Sequence, residues 1–344
     1  MKYRPPPCEI CSANDWQSLG KRGYSPADAA TVDDSTRKRF RVLFEKWFPG
    51  SPAVELECVC CRHCGFVMYL PRPEEADIDN KYRFLAELGQ DPGQAPFFSP
   101  GEQRRSRVIW EYLGKRIALA DVRDVLDYGG GDGRLMQAFR ENGISCFLVD
   151  YCRNCLPGVA KLADTIYQLP PERTFDLVVC SHVIEHVAEP LKVVAALSRH
   201  LRANGHLFVE VPMEIWKKTP LQREPVTHIN FFTPNSLWNL LCLAGLRPLQ
   251  SELTGYRHPN GKRVPVVRAL AAKAEARPGG SRPVLKNGDL DAFLHPGLSS
   301  KLRYYSANPS SLLRAARRAL RTGEKALAPF RKFAMAPFRG NRAR

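Results

Sequence analysis

The chain of 344 residues contains no uncharged apolar run of about eighteen residues, which argues against a membrane-spanning helix. Its start, MKYRPPPCEIC, lacks an apolar signal core, so no secretory leader is predicted and a cytoplasmic location is expected. Thiols stay reduced there, so the eleven cysteines point to metal ligands or buried thiols before disulfides. There is no G-x-x-x-x-G-K-[ST] stretch, hence no P-loop, and no internal repeat is visible. Acids are the minority charge, with 35 Asp and Glu against 51 Lys and Arg and a formal net charge of +16. That excess is uneven. Residues 301–344 carry twelve basic residues and one acid, Glu324, for +11, leaving +5 for the other 300 residues. Basicity is therefore a property of the tail and says little about the rest.

What is present falls into four regions. Residues 1–75 hold cysteine pairs at Cys8/Cys11 and Cys61/Cys64. Between them the run TRKRFRVLFEKWF predicts a helix with Phe40, Leu43, Phe44 and Trp47 on one side. Residues 76–121 read as a helical connector, with Ser99 as cap, Pro100 in the first turn, and Val108, Ile109, Tyr112, Leu113 and Ile117 on one face. From 122 to 272 strands and helices alternate. VRDVLDY, ISCFLVD, FDLVVC and HLFVEV read as strands, RLMQAFREN as a helix stopped by Gly143, and 190–201 as a helix striped by Leu191, Val194, Ala195, Ser198 and Leu201. A helix at NSLWNLLCLAG and two closing edge strands follow. This alternation predicts an α/β fold with a Rossmann-like, doubly wound, mostly parallel sheet. Residues 273–344 shift to linker composition and then to the basic tail.

The loop LDYGGGDGRLMQ joins a predicted strand to a helix, at the sheet end where such folds bind ligands. Gly129, Gly131 and Gly133 give G-x-G-x-G, and the dinucleotide pattern would need a glycine at Arg134. Asp127 precedes the glycines and Asp150 ends the next strand. VLDYGGGDG with that strand-ending acid resembles the first two motifs of class I S-adenosylmethionine-dependent methyltransferases. FDLVVCSHVIEHVAEPLKVVAALSRHLRANGHLFVEVP extends the resemblance through the fourth and fifth strands, including Glu185-His186. The resemblance covers about residues 105–272 and implies a seven-stranded sheet with S-adenosylmethionine as cofactor. Asp150 would then bind the ribose hydroxyls, and Asp127 would support the loop and the methionine amino end. Ile166 and Tyr167 would flank adenine, with Asp164 a weaker candidate there, and His182 would border the cofactor. Carboxylates suit a ligand with a sulfonium, an ammonium and a ribose diol but no pyrophosphate.

PCEIC and CRHC each turn two thiolates toward one tetrahedral ion, and the two together complete a four-cysteine zinc site from Cys8, Cys11, Cys61 and Cys64. Cys58 and Cys60 are spare ligands and His63 a minor one. The arrangement is similar to methyltransferases with an N-terminal zinc module, among them sugar C-methyltransferases, which implies a structural Zn²⁺ supporting a substrate-facing lobe. The third pair, Cys152/Cys155, reads as two small apolar residues beside the ribose loop.

The acceptor is expected where the fourth and fifth strands end, near His182, Glu185, His186 and Pro212, under residues 214–234. A hydroxyl acceptor must lose a proton, and imidazole suits that task near neutral pH. His228 is the first candidate base and His186 the second. The sugar C-methyltransferases carry a Tyr-His-Glu-His cluster where this chain reads Pro225-Val226-Thr227-His228, and they continue further after the core. Oxygen methylation of a sugar, a glycan-pathway intermediate or another hydroxylated metabolite is therefore expected ahead of carbon methylation. The asparagine-proline-proline-aromatic signature of base-nitrogen methylation is absent, and the strand ends in VEVPME. The tail pattern of Leu313, Leu320 and Leu327 among arginines suits peripheral contact with an anionic membrane at its inner face. An RNA methyltransferase using the tail as a phosphate-binding surface and a non-catalytic scaffold are the other readings.

Overall fold

The computed structural model describes residues 5–89, 100–152, 154–215, 224–257, 263–274 and 294. The Ser99 cap, the linker and the basic tail lie outside the described residues. The N-terminal region forms an antiparallel sheet from β1 (Trp16–Tyr24), β2 (Val54–Cys61) and β3 (Val67–Leu70). Between β1 and β2 runs α1 (Asp34–Val42), capped by the Asp33 carboxylate on the Thr36 amide and continued by one π-turn over Leu43–Trp47. Phe40 and Leu43 are buried as predicted, while Phe44 and Trp47 are half-buried. The helix α2 (Glu75–Glu87) is tied back to this region by Trp47, whose indole donates to the Asp77 carbonyl at 2.9 Å.

The predicted alternation then appears. After α3 (Pro100–Gly114) come β4 (Asp124–Tyr128), α4 (Gln137–Glu141), β5 (Ser145–Val149), β6 (Val159–Ala163), β7 (Phe175–Ser181), α5 (Pro190–Arg199) and β8 (Leu201–Pro212). A two-residue strand β9 (Asn230–Phe231), α6 (Pro234–Leu243), β10 (Leu246–Arg257) and β11 (Arg263–Lys273) complete the order. The main sheet has seven strands in the order β10-β11-β8-β7-β4-β5-β6. Its β8-β7-β4-β5-β6 portion is parallel, and β11 runs antiparallel to both β8 and β10.

Alternation of side chains across the sheet builds two cores. Val125, Leu177, Val179, Phe208 and Leu270 face α3 and α4, where Ile109, Leu113, Met136 and Phe139 are buried. Leu126, Val178, Cys180, Val209 and Ala269 face the other way, in a core that continues through α5 and α6 into the N-terminal sheet. Each fully buried aliphatic side chain in these layers contributes about 1.5–3 kcal/mol of transfer free energy.

Three local readings need correction. The buried face of α5 centres on Val193, Val194, Ala196, Leu197 and Ser198, with Leu191 and Ala195 only half-buried, because the all-apolar run VVAAL left its azimuth undetermined by pattern alone. The fifth strand begins at Leu201 rather than 206: Asn204 takes φ of 62° inside it, although Asn204-Gly205 reads in sequence as the stop of the preceding helix. The helix after the glycine loop opens as a 3-10 turn over Arg134–Met136. There Ser106 of α3 accepts from the Ala138 amide and donates to the Leu135 carbonyl, standing in for a local cap.

Candidate functional site

The glycine loop leaves β4 at Tyr128. Gly129, Gly131 and Gly133 all take positive φ, of 67°, 62° and 80°, a region that costs little only for glycine. Two of them are also pinned sterically. A Cβ on Gly129 would sit 2.5 Å from the Val183 side chain, and one on Gly133 2.9 Å from Val159. Gly130, which the spacing argument passed over, is the tightest of all: its Cβ would fall 2.0 Å from the Asp127 carboxylate. The acid packs against the loop, so the second glycine in the run is there to make room for it.

Asp127 is fully buried, and among the described residues neither carboxylate oxygen has a hydrogen-bond partner. Burial, reinforced by the nearby Asp150, pushes its carboxyl up to about 8. Asp150 is placed differently. Its Oδ2 accepts from the Gly131 amide at 2.9 Å and its Oδ1 from the Cys152 amide at 2.8 Å. Burial raises its pKa, opposed by those two amides. Each oxygen keeps a second lone pair for an incoming hydroxyl. Ile166 is buried on the turn after β6, with Tyr167 beside it half exposed. Asp164 is occupied by Lys161 in a surface ion pair at 2.5 Å.

Beyond Val183 the turn after β7 carries His182, Glu185 and His186. His182 takes φ of 59°, its amide donates to the Glu210 carbonyl at 2.8 Å, and its ring lies 3.5 Å from both Glu185 and Glu210. Burial alone would raise the Glu210 carboxyl, but His182, Arg105 and Arg268 outweigh it and hold the group well below the usual range. Arg105 and Arg268 clamp the two oxygens of Glu210 at 2.8 and 2.5 Å. This pair of arginines, Arg268 buried and Arg105 partly so, is unforeseen in the sequence and fixes the end of β8 behind His182.

Glu185 is 1% exposed, and both its oxygens lack a hydrogen-bond partner among the described residues. Burial raises its pKa, with His182 and His228 working against that. The Nδ1 of His186 donates to the Thr227 carbonyl at 2.6 Å, and that of His228 donates to the Glu214 carboxylate at 2.7 Å. The two imidazoles meet edge to face, 4.8 Å between centroids. Burial, then the neighbouring His228 and Lys81, hold His186 well below its ordinary value, so it is neutral at pH 7. Glu185 and His186 come from the β7 turn and Glu214 follows the end of β8, and together they form a carboxylate–histidine group around His228. Glu214 was missed because the pairing spans fourteen residues with no periodic signal.

Helix α2 closes the far side. Lys81 is buried, its ammonium donates to the Val226 carbonyl at 3.3 Å, and burial brings its pKa down to about 8. The Tyr69 hydroxyl donates to the His228 carbonyl. The segment bearing His228 is thus gripped from the N-terminal region.

The four predicted cysteines converge. Cys8 and Cys64 sulfurs are 3.6 Å apart, Cys11 and Cys61 3.5 Å, and all four sulfurs lie within 4.8 Å of one another. The two turns repeat each other bond for bond. In one, the Cys8 amide donates to the Ala13 carbonyl and Ser12 to Cys8; in the other, Cys61 donates to Phe66 and Gly65 to Cys61. Ser12 and Gly65, at equivalent places, both take positive φ, of 60° and 77°. Four thiolates so arranged fit a tetrahedral ion. Cys58 and Cys60 are buried within β2 outside this group and His63 is exposed, so none of the three spare ligands joins it. Cys152 and Cys155 approach to 3.7 Å beside Asp150.

A family model described as a methyltransferase domain matches residues 101–251. The chain is 30% identical over 210 residues to a probable S-adenosylmethionine-dependent methyltransferase of Mycobacterium tuberculosis (strain ATCC 25618 / H37Rv), covering 53% of this chain and 70% of that protein. It is 25% identical over 287 residues to C-methyltransferase NovU of Streptomyces niveus, covering 79% of this chain and 62% of that protein. A ubiquinone biosynthesis O-methyltransferase of Xylella fastidiosa (strain M23) is 30% identical over 116 residues, 29% of this chain and 45% of that protein. The match therefore spans less than two thirds of the length of the last two. The chain belongs to the S-adenosylmethionine-dependent methyltransferases. Among its described residues no helix is long and apolar enough to cross a membrane.

Proposed function

We propose that the chain transfers a methyl group from S-adenosylmethionine to a hydroxyl oxygen of a sugar, a glycan-pathway intermediate or another hydroxylated metabolite. The observation that carries this reading is the His228–Glu214 pair, set beside the turn whose Val183 touches the glycine loop. The residues fit the cofactor: Asp127 is a bare, buried carboxylate suited to an ammonium, and Asp150 presents accepting oxygens to a ribose diol beside a loop without Cβ atoms. The bound cofactor supplies an electrophilic methyl on sulfur. Glu214 holds His228 through Nδ1, which leaves Nε2 to take the acceptor's proton. His186, neutral and fixed on Thr227, shapes the pocket. The four cysteines hold a structural Zn²⁺ in this reading, and the basic tail serves contact with an anionic membrane surface.

Transfer to carbon is the second reading, favoured by the carboxylate–histidine group and by the NovU match over 287 residues. Incubation with methyl-labelled cofactor and a panel of nucleotide-sugars and glycans, read by mass spectrometry and carbon NMR, separates the two. A methoxy carbon is expected. A methyl bonded to carbon supports the second reading, and methylation of RNA alone overturns both.

A further inference from the structure

The Glu185–His186–His228 group has a property that proton transfer does not require. Its three ligand atoms, one carboxylate oxygen and two imidazole nitrogens, all lie within 4.8 Å of one another. Both histidines commit Nδ1 to a protein acceptor, one a backbone carbonyl and the other a carboxylate. That is the arrangement by which a hydrogen bond on one ring nitrogen orients an imidazole toward an ion and leaves Nε2 as a lone-pair donor. Glu185 points into the same space with both oxygens unpartnered at 1% exposure. An ionised carboxylate left so is strongly disfavoured unless a positive charge joins it. His182 and His186 approach its Oε1 only to 3.5 and 3.7 Å.

We infer that Glu185, His186 and His228 form a binding site for one divalent first-row cation, separate from the four-cysteine group. Two imidazoles and one carboxylate on one side of an ion leave its other positions open, the set found where a metal must also take a substrate oxygen. The ion's two positive charges match the two carboxylates, Glu185 as ligand and Glu214 behind His228. Nitrogen and oxygen donors select borderline cations such as Mn²⁺, Fe²⁺ or Zn²⁺, whereas four thiolates select Zn²⁺. The two sites thus differ in chemistry as well as in place.

The inference rests on the acceptor placement proposed above and alters one part of it. An imidazole coordinated through Nε2 cannot also take a proton there. In the loaded protein the acceptor's O–H bond breaks because the cation lowers the hydroxyl's pKa, and the proton leaves to water.

The test uses the full chain, with the cysteine site filled by zinc, and no cofactor or acceptor. Calorimetric titration with Mn²⁺, and separately with further Zn²⁺, is expected to show about one added ion per chain for at least one of the two. Pulsed electron paramagnetic resonance of bound Mn²⁺ should show coupling to imidazole nitrogen. Glu185→Gln and His228→Gln should each weaken binding by roughly tenfold or more, and Glu214→Gln by about tenfold as an outer partner. Should Glu185→Gln fail to fold by circular dichroism, His228→Gln at its part-exposed position decides. Exclusion of both ions by the folded wild type, or equal binding by a folded ligand variant, overturns the inference. Either result leaves the methyl-transfer reading standing, because cofactor binding is measured apart; loss of cofactor binding alone would fell that reading and not this one.

Discussion

The cysteine group and the Glu–His group are both ligand-like clusters, yet they are built in opposite ways. The first is made of two short turns with the same hydrogen bonds and the same left-handed residue just after the second cysteine, each fixed by residues within five of one another. The second draws Glu185 and His186 from one turn, Glu214 from a strand end and His228 from a segment held by α2 and β3. A cluster assembled locally depends on its own turns, whereas one assembled from distant segments depends on the whole fold to hold its geometry.

Removing metal from the cysteine group should give the largest effect. Structural zinc carries on the order of 10 kcal/mol of apparent binding free energy, most of it folding free energy in a small module. Chelation, or Cys61→Ser, is expected to unravel the N-terminal sheet. Trp16 reports it, since its indole donates to the Pro6 carbonyl at 3.0 Å beside Cys8. A native tryptophan spectrum in fully metal-stripped protein would refute the structural role.

At the other cluster, function rather than folding should fall. His228→Gln is expected to cut kcat by roughly 10²–10⁴, whether His228 takes the acceptor's proton itself or holds a cation that acidifies the hydroxyl, while cofactor affinity and melting temperature stay near wild type. Unchanged turnover would remove His228 from the chemistry.

Asp150→Ala comes next. It deletes an acceptor of two backbone amides and, in the proposed reading, of the ribose hydroxyls, and charge-assisted bonds of that kind are worth about 1.5–3 kcal/mol. Cofactor affinity measured by calorimetry should drop by one to two orders of magnitude. Wild-type affinity in a folded variant would displace the cofactor from this loop.

The smallest effect concerns Asp127, and its sign is distinctive. The folded carboxyl is raised from 3.8 to about 8, so the cofactor-free fold keeps a proton that the unfolded chain releases above pH 4. Stability attributable to this group is intact below pH 4 and declines as pH rises toward 8. Asp127→Asn should therefore melt higher than wild type at pH 8, by roughly 1–3 kcal/mol, and match it near pH 4. The same variant should bind the cofactor more weakly. Equal melting at both pH values would show that the carboxyl is not desolvated.

Much of the fold was legible in sequence because its signals are local. Buried parallel strands such as VLDY and LVVC are continuous apolar runs, and α5 and α6 each open on a proline. The four cysteines were legible for the same reason: each pair fixes its own turn. Strand β1 was not read, since WQSLGKRGY mixes charges and glycines and is stabilised by pairing with β2 rather than by its own pattern. Strand β9 was invisible at two residues. Of the sites, Asp127, Asp150 and the spaced glycines followed from motif order, but Gly130 was missed because spacing rules ignore which neighbour fills the space. Arg105 and Arg268 on Glu210 lie on separate elements that only the folded chain brings together.

The two-residue pairing of Asn230 and Phe231 with Met68 and Val67 carries a consequence for how this protein can be divided. It stitches the edge of the amino-terminal sheet to the stretch that immediately follows His228. Trimming the chain to its methyltransferase core would thus take away the strand that seats His228, the imidazole assigned to the acceptor in the proposed reading. A shortened version is expected to keep turnover only if it keeps β3 with it.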